Sequence, residues 1–423
     1  MKILMLAPRF PYPPTRGDCV RAWGQLDYLA RRHELWLACL NHRPPDAAHE
    51  RVVRARCRDV YIAVRSNALA LLRGGAALLR GAAITRGYFS DRRLRHVLAQ
   101  WSAAHEFDAV LTFSSAMAPY AGKARARRRV LDMNDVDSFK WRVFARRGAP
   151  LLRGVYALEA ERMARNEARW MARHDVCVLV NERERKRLSS LRPVCATDVV
   201  RTGLRLDALD KVPRTPPPEP NVVTIGSLSY GPNVRAARWF GQHAWPLVRR
   251  AVPAAQWDIV GREPSRAVRR LARLPGVRVT GFVPDVLPYL CRARVVVNST
   301  LDEIGVQTKL IEALAAGKPA VVTPQAAGGM AYDAPPPFLV SGSPCGFADA
   351  VVRLLRDDAL AARLGARARE VAAASYDVDV EGARLEQWLI GDPAAPPKPA
   401  RPDRQRASAP QRKRKPLAIG GAR

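Results

Sequence analysis

Glycine, lysine and glutamate lie close together at the start of a predicted helix in the second half of the chain. They belong to the stretch NSTLDEIGVQTKLIEALAAGKPAVVTP, residues 298–324. The amides of Gly305 and Val306 are expected in the first helical turn, where backbone N–H groups lack intrahelical partners and carry partial positive charge. With the ammonium of Lys309 beside them, these amides suit a diphosphate.

Two further side chains of this helix, predicted over residues 307–317, could recognise what the diphosphate carries. Gln307 and Glu312 lie on or near the face of Lys309 by helical spacing. The carboxylate of Glu312 can accept hydrogen bonds from a pair of neighbouring hydroxyls, such as a ribose diol. The pattern therefore indicates a nucleotide that bears a sugar. The alternative is a Lys/Glu pair on an exposed helix face, which contributes little.

Another glycine turn follows the first predicted strand, in RFPYPPTRGDCVRAWGQLDYLA. Gly17 lets the backbone approach a ligand closely, and the next helix directs its N-terminal amides to the same place. Arg16 and Arg21 add full positive charges, so the turn suits a phosphate. In the alternative interpretation, Asp18 merely caps this helix.

Turns after three predicted strands of the second half supply the remaining candidates for ligand contact. Each turn follows an apolar run. A single glycine turn is weak evidence for a ligand site, whereas two glycine turns that face each other across a cleft are better evidence. These candidates are Gly226 and Ser227 in TIGSLSYGPNVRAARWF, Gly261 and Arg262 in IVGREP, and Phe282 and Val283, whose backbone suits a planar base edge.

Three aspartates, Asp132, Asp135 and Asp137, follow a predicted strand in the stretch DMNDVD. Carboxylates at this spacing could hold a metal ion in a DxD-like arrangement. They could also cap the next helix and contact an acceptor.

The elements that would position these residues alternate regularly in both halves of the chain. Apolar runs predict the strands KILMLAP, ELWLACL, RDVYIAV, DAVLTFS, RRVLDMN and DVCVLVN, followed by NVVTIGS, AQWDIVG, VRVTGFV, ARVVVNS and PAVVTP. Helical patterns lie between them, over residues 20–32, 91–104, 155–173, 233–251, 264–273, 285–292 and 307–317. The alternation predicts an α/β protein of two doubly wound, Rossmann-like domains that face each other across a cleft.

Proline and charge mark the predicted boundaries. The run KVPRTPPPEPN, residues 211–221, predicts a linker between an amino-terminal domain, 1–210, and a carboxyl-terminal domain, 222–375. A last helix over 376–390 is expected to pack back toward the first domain. Residues 391–423 predict a disordered basic tail, since nine basic residues against two acidic ones give it a charge of 9 − 2 = +7.

Composition limits the partners and the compartment. The formal net charge of +31 predicts an anionic partner, which could be nucleic acid, an anionic membrane face or a phosphorylated substrate. No helix-turn-helix, zinc-finger or RNP-like pattern occurs, so nucleic acid is not expected. The seven cysteines are scattered without a CxxC pair, against a disulfide framework or a zinc site.

The sequence predicts neither a signal peptide nor a membrane-spanning segment. Pro8 stops the first apolar run before it could form the core of a signal peptide, and Arg73 and Arg80 interrupt the best apolar window, ALALLRGGAALLRGAAI. We therefore expect a cytoplasmic protein, which could be peripheral at the inner membrane.

Four stretches of the second half carry a family resemblance: GSLSYGPNVRAARWF, WDIVGREP, GVRVTGFVPDVLPYL and GVQTKLIEALAAGKPAVVT. In this order and spacing they resemble the donor-binding half of retaining GT-B glycosyltransferases of the family-4 type. RFPYPPTRGDCVR and DMNDVDSFKWRVFA further resemble bacterial sugar transferases associated with PEP-CTERM/exosortase and exopolysaccharide gene sets. The resemblance covers residue 1 to about 390.

The resemblance implies roles for these residues. A nucleoside-diphosphate sugar would be the donor, with Glu312 on its ribose and Gly305, Val306 and Lys309 near its diphosphate and sugar, and with no other cofactor. The turn at Gly17 would face the diphosphate from the first domain. Arg16, Arg21, Asp132 and Asp135 would lie on the acceptor side, and the resemblance makes a metal unexpected.

Two positions depart from the family pattern. The family has two glutamates separated by seven residues. Glu312 keeps the second, but Ile304 occupies the first, with Glu303 one step away. The arginine usual after the strand-end glycine of the second domain is also absent, so Lys309, Arg262 or Arg235 would substitute for it.

The chemistry follows from charge, because breaking the bond to the diphosphate builds negative charge that amides and cations stabilise. We identify no strong general base. This fits a front-face retaining mechanism, in which the leaving phosphate takes the acceptor proton, and Asp18 is the alternative base. The acceptor would be a saccharide or a lipid-linked saccharide, and the basic tail could bind anionic lipids. The alternatives are a GT-B nucleotide-sugar epimerase, a basic protein that binds nucleic acid or membranes, and an inactive scaffold.

Overall fold

The computed structural model describes residues 1–148, 150–209, 211–213, 215 and 217–391. The predicted tail therefore lies, from residue 392 onward, outside the described residues.

Two parallel sheets form the framework. The first sheet has seven strands in the order β3-β2-β1-β4-β5-β6-β7, and the second has six in the order β10-β9-β8-β11-β12-β13. The strands are β1 (Lys2–Ala7), β2 (Glu34–Asn41), β3 (Asp59–Val64), β4 (Phe107–Phe113), β5 (Ala126–Asn134), β6 (Val176–Leu179), β7 (Ala196–Val199), β8 (Asn221–Ile225), β9 (Gln256–Val260), β10 (Val277–Gly281), β11 (Val295–Asn298), β12 (Ala320–Val322) and β13 (Leu339–Val340). The predicted fold class, two doubly wound Rossmann-like domains, is confirmed.

Helices connect successive strands and cover both faces of each sheet. Those of the first half are α1 (Gly17–Ala30), α2 (Ala47–Arg54), α3 (Asn67–Leu79), α4 (Ile84–Tyr88), α5 (Arg92–Ala104), α6 (Ala118–Ala121), α7 (Asp137–Arg147), α8 (Arg153–Met171) and α9 (Glu182–Ser189). Those of the second half are α10 (Gly231–Trp239), α11 (Trp245–Ala251), α12 (Arg266–Arg269), α13 (Leu287–Arg292), α14 (Thr308–Ala315), α15 (Pro324–Ala327), α16 (Pro344–Arg356), α17 (Asp358–Tyr376) and α18 (Val378–Ile390).

The continuous apolar runs become strands because both faces of each sheet are covered. In β1, Ile3 and Met5 pack into one hydrophobic cluster of the first domain, and Leu4 and Leu6 pack into the cluster on the opposite face. Successive side chains of a strand point to opposite faces, so a strand covered on both sides is apolar throughout.

An aromatic cluster fills one side of the second domain. The rings of Phe240 and Trp257 meet edge to face at 4.8 Å, and Trp245 and Phe347 pack around them. A π-helical turn, Phe240–Ala244, lies between α10 and α11. The periodic pattern over 233–251 predicted one continuous helix there, and the widened turn divides it.

The chain returns to the first domain at its described end. After α17, Leu204 N–H donates to the Tyr376 carbonyl at 2.7 Å, and α18 then packs against α1, β4 and β5. Leu385 and Leu389 of α18 are fully buried in the core of the first domain. Among the described residues, none of these helices is both long enough and apolar enough to cross a bilayer.

Candidate active site

A cavity of about 830 Å³ lies between the two sheets, at the carboxyl ends of their strands. In the first sheet the strand order changes direction between β1 and β4, and in the second it does so between β8 and β11. Loops that follow all four of these strands line the cavity. It therefore occupies both topological switch points, where open α/β sheets bind their ligands.

The N-termini of two helices from opposite domains meet in this cavity. Helix α1 begins at Gly17 and α14 begins at Thr308, and a methyl group added to Gly17 would lie 2.8 Å from the hydroxyl oxygen of Thr308. In the described structure, neither N-cap residue, Arg16 or Gln307, forms a side-chain capping hydrogen bond. Two positive dipole ends therefore face one small volume, which favours an anionic group between them.

The loop before α14 differs in detail from the prediction. The helix begins at Thr308, with Gln307 as its N-cap residue, so Gly305 and Val306 precede the helix instead of forming its first turn. All three of Gly305, Val306 and Gln307 line the cavity. Gly305 has a φ of +54°, and its missing Cβ would lie 2.4 Å from Asp135 Oδ1. Only glycine satisfies both conditions without strain.

Five cationic side chains line the cavity in the described structure. Arg9 and Arg16 lie in the turn that follows β1, and Arg262 lies in the turn that follows β9. Lys309 lies in the first turn of α14, and Lys140 lies on α7. Burial would lower the pKa of Lys140, but the charges of Asp137 and Asp135 raise it above its usual value, so this amine stays charged. Among the described residues, the side chain of Lys309 has no hydrogen-bond or ion-pair partner.

Asp18 lies in the cavity within a cluster of positive charge. Its carboxylate forms ion pairs at 3.0 Å with Arg9 and with Arg16. Burial would raise the pKa of Asp18, but these two guanidinium groups outweigh burial and hold it below its usual value. A carboxylate that binds protons so weakly is poorly suited to general-base catalysis.

Glu312 lies one turn into α14 and is partly buried, outside the residues that line the cavity. Burial raises the pKa of its carboxyl group, and the ammonium of Lys309 only partly opposes this. A desolvated carboxylate gains from hydroxyl donors, because hydrogen bonds replace the water that it has lost.

Arg21 and Asp132 form a buried pair beneath the cavity and do not line it. Arg21 Nε lies 2.8 Å from Asp132 Oδ2, which also accepts from Gln25 Nε2 at 2.6 Å, and both side chains of the pair are at most 1% exposed. Asp132 Oδ1 accepts from the Asn134 N–H at 2.9 Å. The pair therefore joins α1 to the carboxyl end of β5 and positions the cavity wall.

The three aspartates of the DMNDVD stretch do not converge. Asp132 faces Arg21, Asp137 pairs with Lys140 and Ser115, and Asp135 faces Gly305. Burial and the neighbouring charge of Glu184 raise the pKa of Asp135. Within the described ranges, no group of three His, Cys, Asp or Glu side chains is placed to hold a metal ion.

Close contact with a neighbouring backbone explains one of the predicted glycines, Gly261. A Cβ on Gly261 would lie 1.6 Å from the Gly226 carbonyl oxygen, and Gly261 has a φ of +152°. Gly226 and Ser227 line the cavity, whereas Gly261 supports them from behind. Phe282 and Val283 do not line the cavity, and Phe282 is 68% exposed.

Comparisons with known proteins agree with this geometry. Residues 219–357 match the family model described as "Glycosyl transferases group 1". HepE of Anabaena, in complex with UDP and glucose, superposes with a TM-score of 0.61 at 15% identity, over 92% of this chain and 100% of that one. Sucrose-phosphate synthase of Thermosynechococcus elongatus superposes with a TM-score of 0.66 at 14% identity, over 92% and 98%. No curated protein sequence matches the chain.

The chain has the GT-B fold. A third structure of this kind is α,α-trehalose 6-phosphate synthase of Burkholderia multivorans, with a TM-score of 0.60 at 12% identity, over 92% of this chain and 98% of that one. Together, the family match and the GT-B fold support a glycosyltransferase.

Ile304 and the two acidic residues before it differ in their positions relative to the cavity. Ile304 lines the cavity, whereas Glu303 is 58% exposed and faces Arg187, at 3.2 Å, in the first domain. Glu303 is therefore directed away from the cavity. Asp302 does line the cavity, but it pairs with Arg147 at 2.9 Å and with Arg235 at 2.6 Å.

The same loop holds the two domains together. Arg147 and Arg187 reach it from the first domain, and the Gly305 carbonyl accepts from Asn181 Nδ2 at 3.1 Å and from Arg183 Nη2 at 2.8 Å. Arg235 is engaged with Asp302, whereas Lys309 and Arg262 line the cavity.

Three cavity residues that sequence reasoning missed have strained backbones. Ser114, Asn134 and Glu263 all have positive φ, of 73°, 59° and 53°. Non-glycine residues rarely adopt this conformation, and such strain often accompanies function. Among serine, asparagine and glutamate, only asparagine is enriched at positive φ, so only Asn134 could have been suspected from the sequence.

Glu167 of α8 supports the cavity wall through α7 and makes stability depend on pH. It is fully buried, and its Oε1 accepts from the Ser138 N–H at 3.1 Å while Oε2 has no partner in the described structure. Burial, and then the charge of Asp137, raise the pKa of Glu167 to about 8. The folded state therefore holds a proton that the unfolded state releases near the usual value.

We expect the free energy of unfolding to fall between pH 5 and pH 8, because there the folded state binds more protons than the unfolded state. Replacing Glu167 with glutamine should remove up to about 1.4 kcal/mol per pH unit of this slope. Urea denaturation across this range measures it, with Glu161→Gln, an exposed position on the same helix, as the control. Equal slopes in both variants would contradict the assignment.

Proposed function

We propose that this protein transfers a sugar from a nucleoside-diphosphate sugar to a saccharide or lipid-linked acceptor, with retention of anomeric configuration. The observation that carries the proposal is the meeting of two helix N-termini, at Gly17 and Thr308, in a cavity that also contains Lys309 and Arg262. A diphosphate between facing domains would receive amides and cations from both sides.

This arrangement suits the charge that develops during transfer. As the bond from the anomeric carbon to the diphosphate oxygen breaks, negative charge grows on the leaving oxygen and positive charge on the sugar ring. Fixed dipoles and cations stabilise the leaving group without reorganisation, so they lower the barrier. Lys309, in the first turn of α14, is the residue that we assign to this role.

A base must take the proton of the acceptor hydroxyl. The residues of the cavity favour the leaving phosphate as this base. Asp18 is the alternative, but its lowered pKa and its two arginine partners oppose it. Transfer of the proton to the departing phosphate on the same face of the sugar favours a front-face retaining mechanism of the family-4 type. A metal ion has no part in this proposal.

Arg16 and Asp135 line the first-domain side of the cavity and are the proposed acceptor contacts. Arg21 and Asp132 would act behind them as positioning residues. On the donor side, the cavity residues Gly17, Gly226, Ser227, Arg262, Gly305, Val306 and Gln307 are the proposed contacts. Gly261, Phe282 and Val283 do not line the cavity. They would support the donor contacts through their backbone.

The biological setting rests on the sequence resemblance to sugar transferases of exopolysaccharide gene sets. We place the protein in the cytoplasm, in the synthesis of a bacterial cell-surface glycan. The uridine diphosphate of the HepE complex makes a uridine nucleotide sugar the first donor to test.

A screen of nucleotide sugars by thermal shift tests the proposal. A donor present at about 100 times its dissociation constant should stabilise the protein by about 2.7 kcal/mol. The donor so found is then incubated with candidate acceptors, and the anomeric configuration of the product is determined by NMR. Release of a rearranged sugar without an acceptor would instead indicate an epimerase.

Replacing Glu312 with alanine should abolish the thermal shift produced by that donor, because the proposed hydrogen bonds to the ribose diol are lost. The control is Glu370→Ala, an exposed glutamate of the same domain, which should keep the shift. A full shift in the Glu312 variant would contradict its assignment to the ribose.

A further inference from the structure

The outward face of helix α3 is apolar. Leu72 and Leu79, seven residues apart and therefore on one side of the helix, are 72% and 88% exposed, and Leu71, directly before Leu72, is 60% exposed. The opposite side is buried, since a Cβ on Gly74 would lie 3.0 Å from Ile84 of α4. A surface helix normally directs polar side chains outward, so a partner is expected on this face.

The apolar surface continues onto the neighbouring helix α8. Arg162 of α8 donates to the carbonyl oxygens of Leu78 at 3.0 Å and Ala82 at 2.9 Å, which places α8 beside the end of α3. One turn before Arg162, Leu158 is 38% exposed. We refer to Leu71, Leu72, Leu79 and Leu158 as the leucine face.

Arginines border the leucine face. Arg80 directly follows Leu79 and is exposed, Arg86 is exposed on α4, and Arg162 lies beside the end of α3. Residues 60–105 contain one acidic residue, Asp91. That aspartate is buried at the N-cap of α5, so it contributes little negative charge at the surface. Apolar side chains bordered by arginines fit an anionic lipid surface, which takes up the leucines and attracts the cations. A second copy of the chain would bring the same positive charge to the contact, and repulsion opposes it.

The leucine face is connected to the cavity through α4. Helix α4 packs along α3, and Thr85 within it and Phe89 directly after it line the cavity. The pair of helices therefore has one side on the outer surface and the other in the wall of the cleft.

We propose that the leucine face docks on an anionic lipid bilayer, with Leu72 and Leu79 inserted among the acyl chains, so that a lipid-linked acceptor enters the cleft past Thr85 and Phe89. The docking is independent of the proposed sugar transfer, and only the delivery of the acceptor rests on it.

The test measures binding of the full chain to vesicles by flotation. Vesicles of phosphatidylcholine with phosphatidylglycerol are compared with vesicles of phosphatidylcholine alone. The double variant Leu72→Glu/Leu79→Glu should bind the anionic vesicles about tenfold more weakly or worse, because charged side chains oppose insertion. The double variant keeps residues 392–423. If the basic tail alone attracted the protein to the vesicles, the variant would therefore bind as the unaltered chain does.

The matched control is Leu247→Glu, a 37% exposed leucine on α11 of the second domain, which should bind as the unaltered chain does. Circular dichroism and the thermal shift with donor check the fold and the cleft, so a failure of docking is distinguished from a failure of the proposed transfer. Equal binding by the double variant would overturn the proposal. The proposal would also be overturned if the unaltered chain were a dimer and the double variant a monomer, with no change in vesicle binding.

Discussion

Replacing Lys309 with methionine is expected to lower the rate of sugar transfer about a hundredfold or more. Methionine keeps most of the length of the side chain but removes the charge from the first turn of α14, beside the cavity. Loss of one preorganised group that stabilises developing charge typically costs a factor of about 10² to 10³ in turnover. The measurement is the turnover number with the donor found by thermal shift.

The control for this prediction is Lys186→Met on the exposed side of α9. It changes the net charge equally and should leave turnover within about twofold, since exposed charges act weakly at a distance. If the two variants were equally active, Lys309 would have no role at the diphosphate. If the Lys309 variant lost donor binding but kept its turnover number, the lysine would bind the ground state alone.

Replacing Gly261 with alanine is expected to destabilise the second domain by about 3 kcal/mol or more. The new Cβ would lie 1.6 Å from the Gly226 carbonyl oxygen, and no side-chain rotation relieves contact with a backbone atom. The turns at Gly226 and Gly261 would have to separate, which breaks the Gly226 N–H bond to the Val260 carbonyl, now 2.9 Å long. Urea denaturation followed by circular dichroism measures the loss.

The matched control is Gly281→Ala at the end of the neighbouring strand. Gly281 also has a positive φ, of +75°, but a Cβ there meets nothing within 4 Å. This variant should lose only about 1 kcal/mol, the cost of the left-handed conformation. Equal losses in the two variants would show that conformation, and not the backbone collision, requires glycine at position 261.

Hydrophobic runs were sufficient to predict the fold, because strands buried on both faces must be apolar. The two strands that the runs missed lie at sheet edges. One is β7, whose sequence ATDV has polar residues in its middle, and the other is β13, which has only two residues. Edge strands need less apolar sequence, since one side of the ladder is unpaired.

The candidate site was predictable where a residue follows a strand. Gly17, Lys309 and Arg262 all lie in the cavity because parallel strands bring their carboxyl ends to one edge. Lys140, which sequence reasoning missed, lies inside helix α7, in a stretch where only the aspartates were singled out. Arg21 and Asp132 are 111 residues apart, and nothing local indicates that they pair.

Helix α18 has a consequence for the order in which the protein folds during synthesis. Leu385 and Leu389 complete the core of the first domain, and Glu386 accepts from the hydroxyl of Tyr28 at 2.8 Å. The ribosome must therefore release the whole second domain before the first can bury its last apolar surface. Domains usually mature in sequence order as they emerge. Here the first domain cannot complete its core until the second domain has been synthesised.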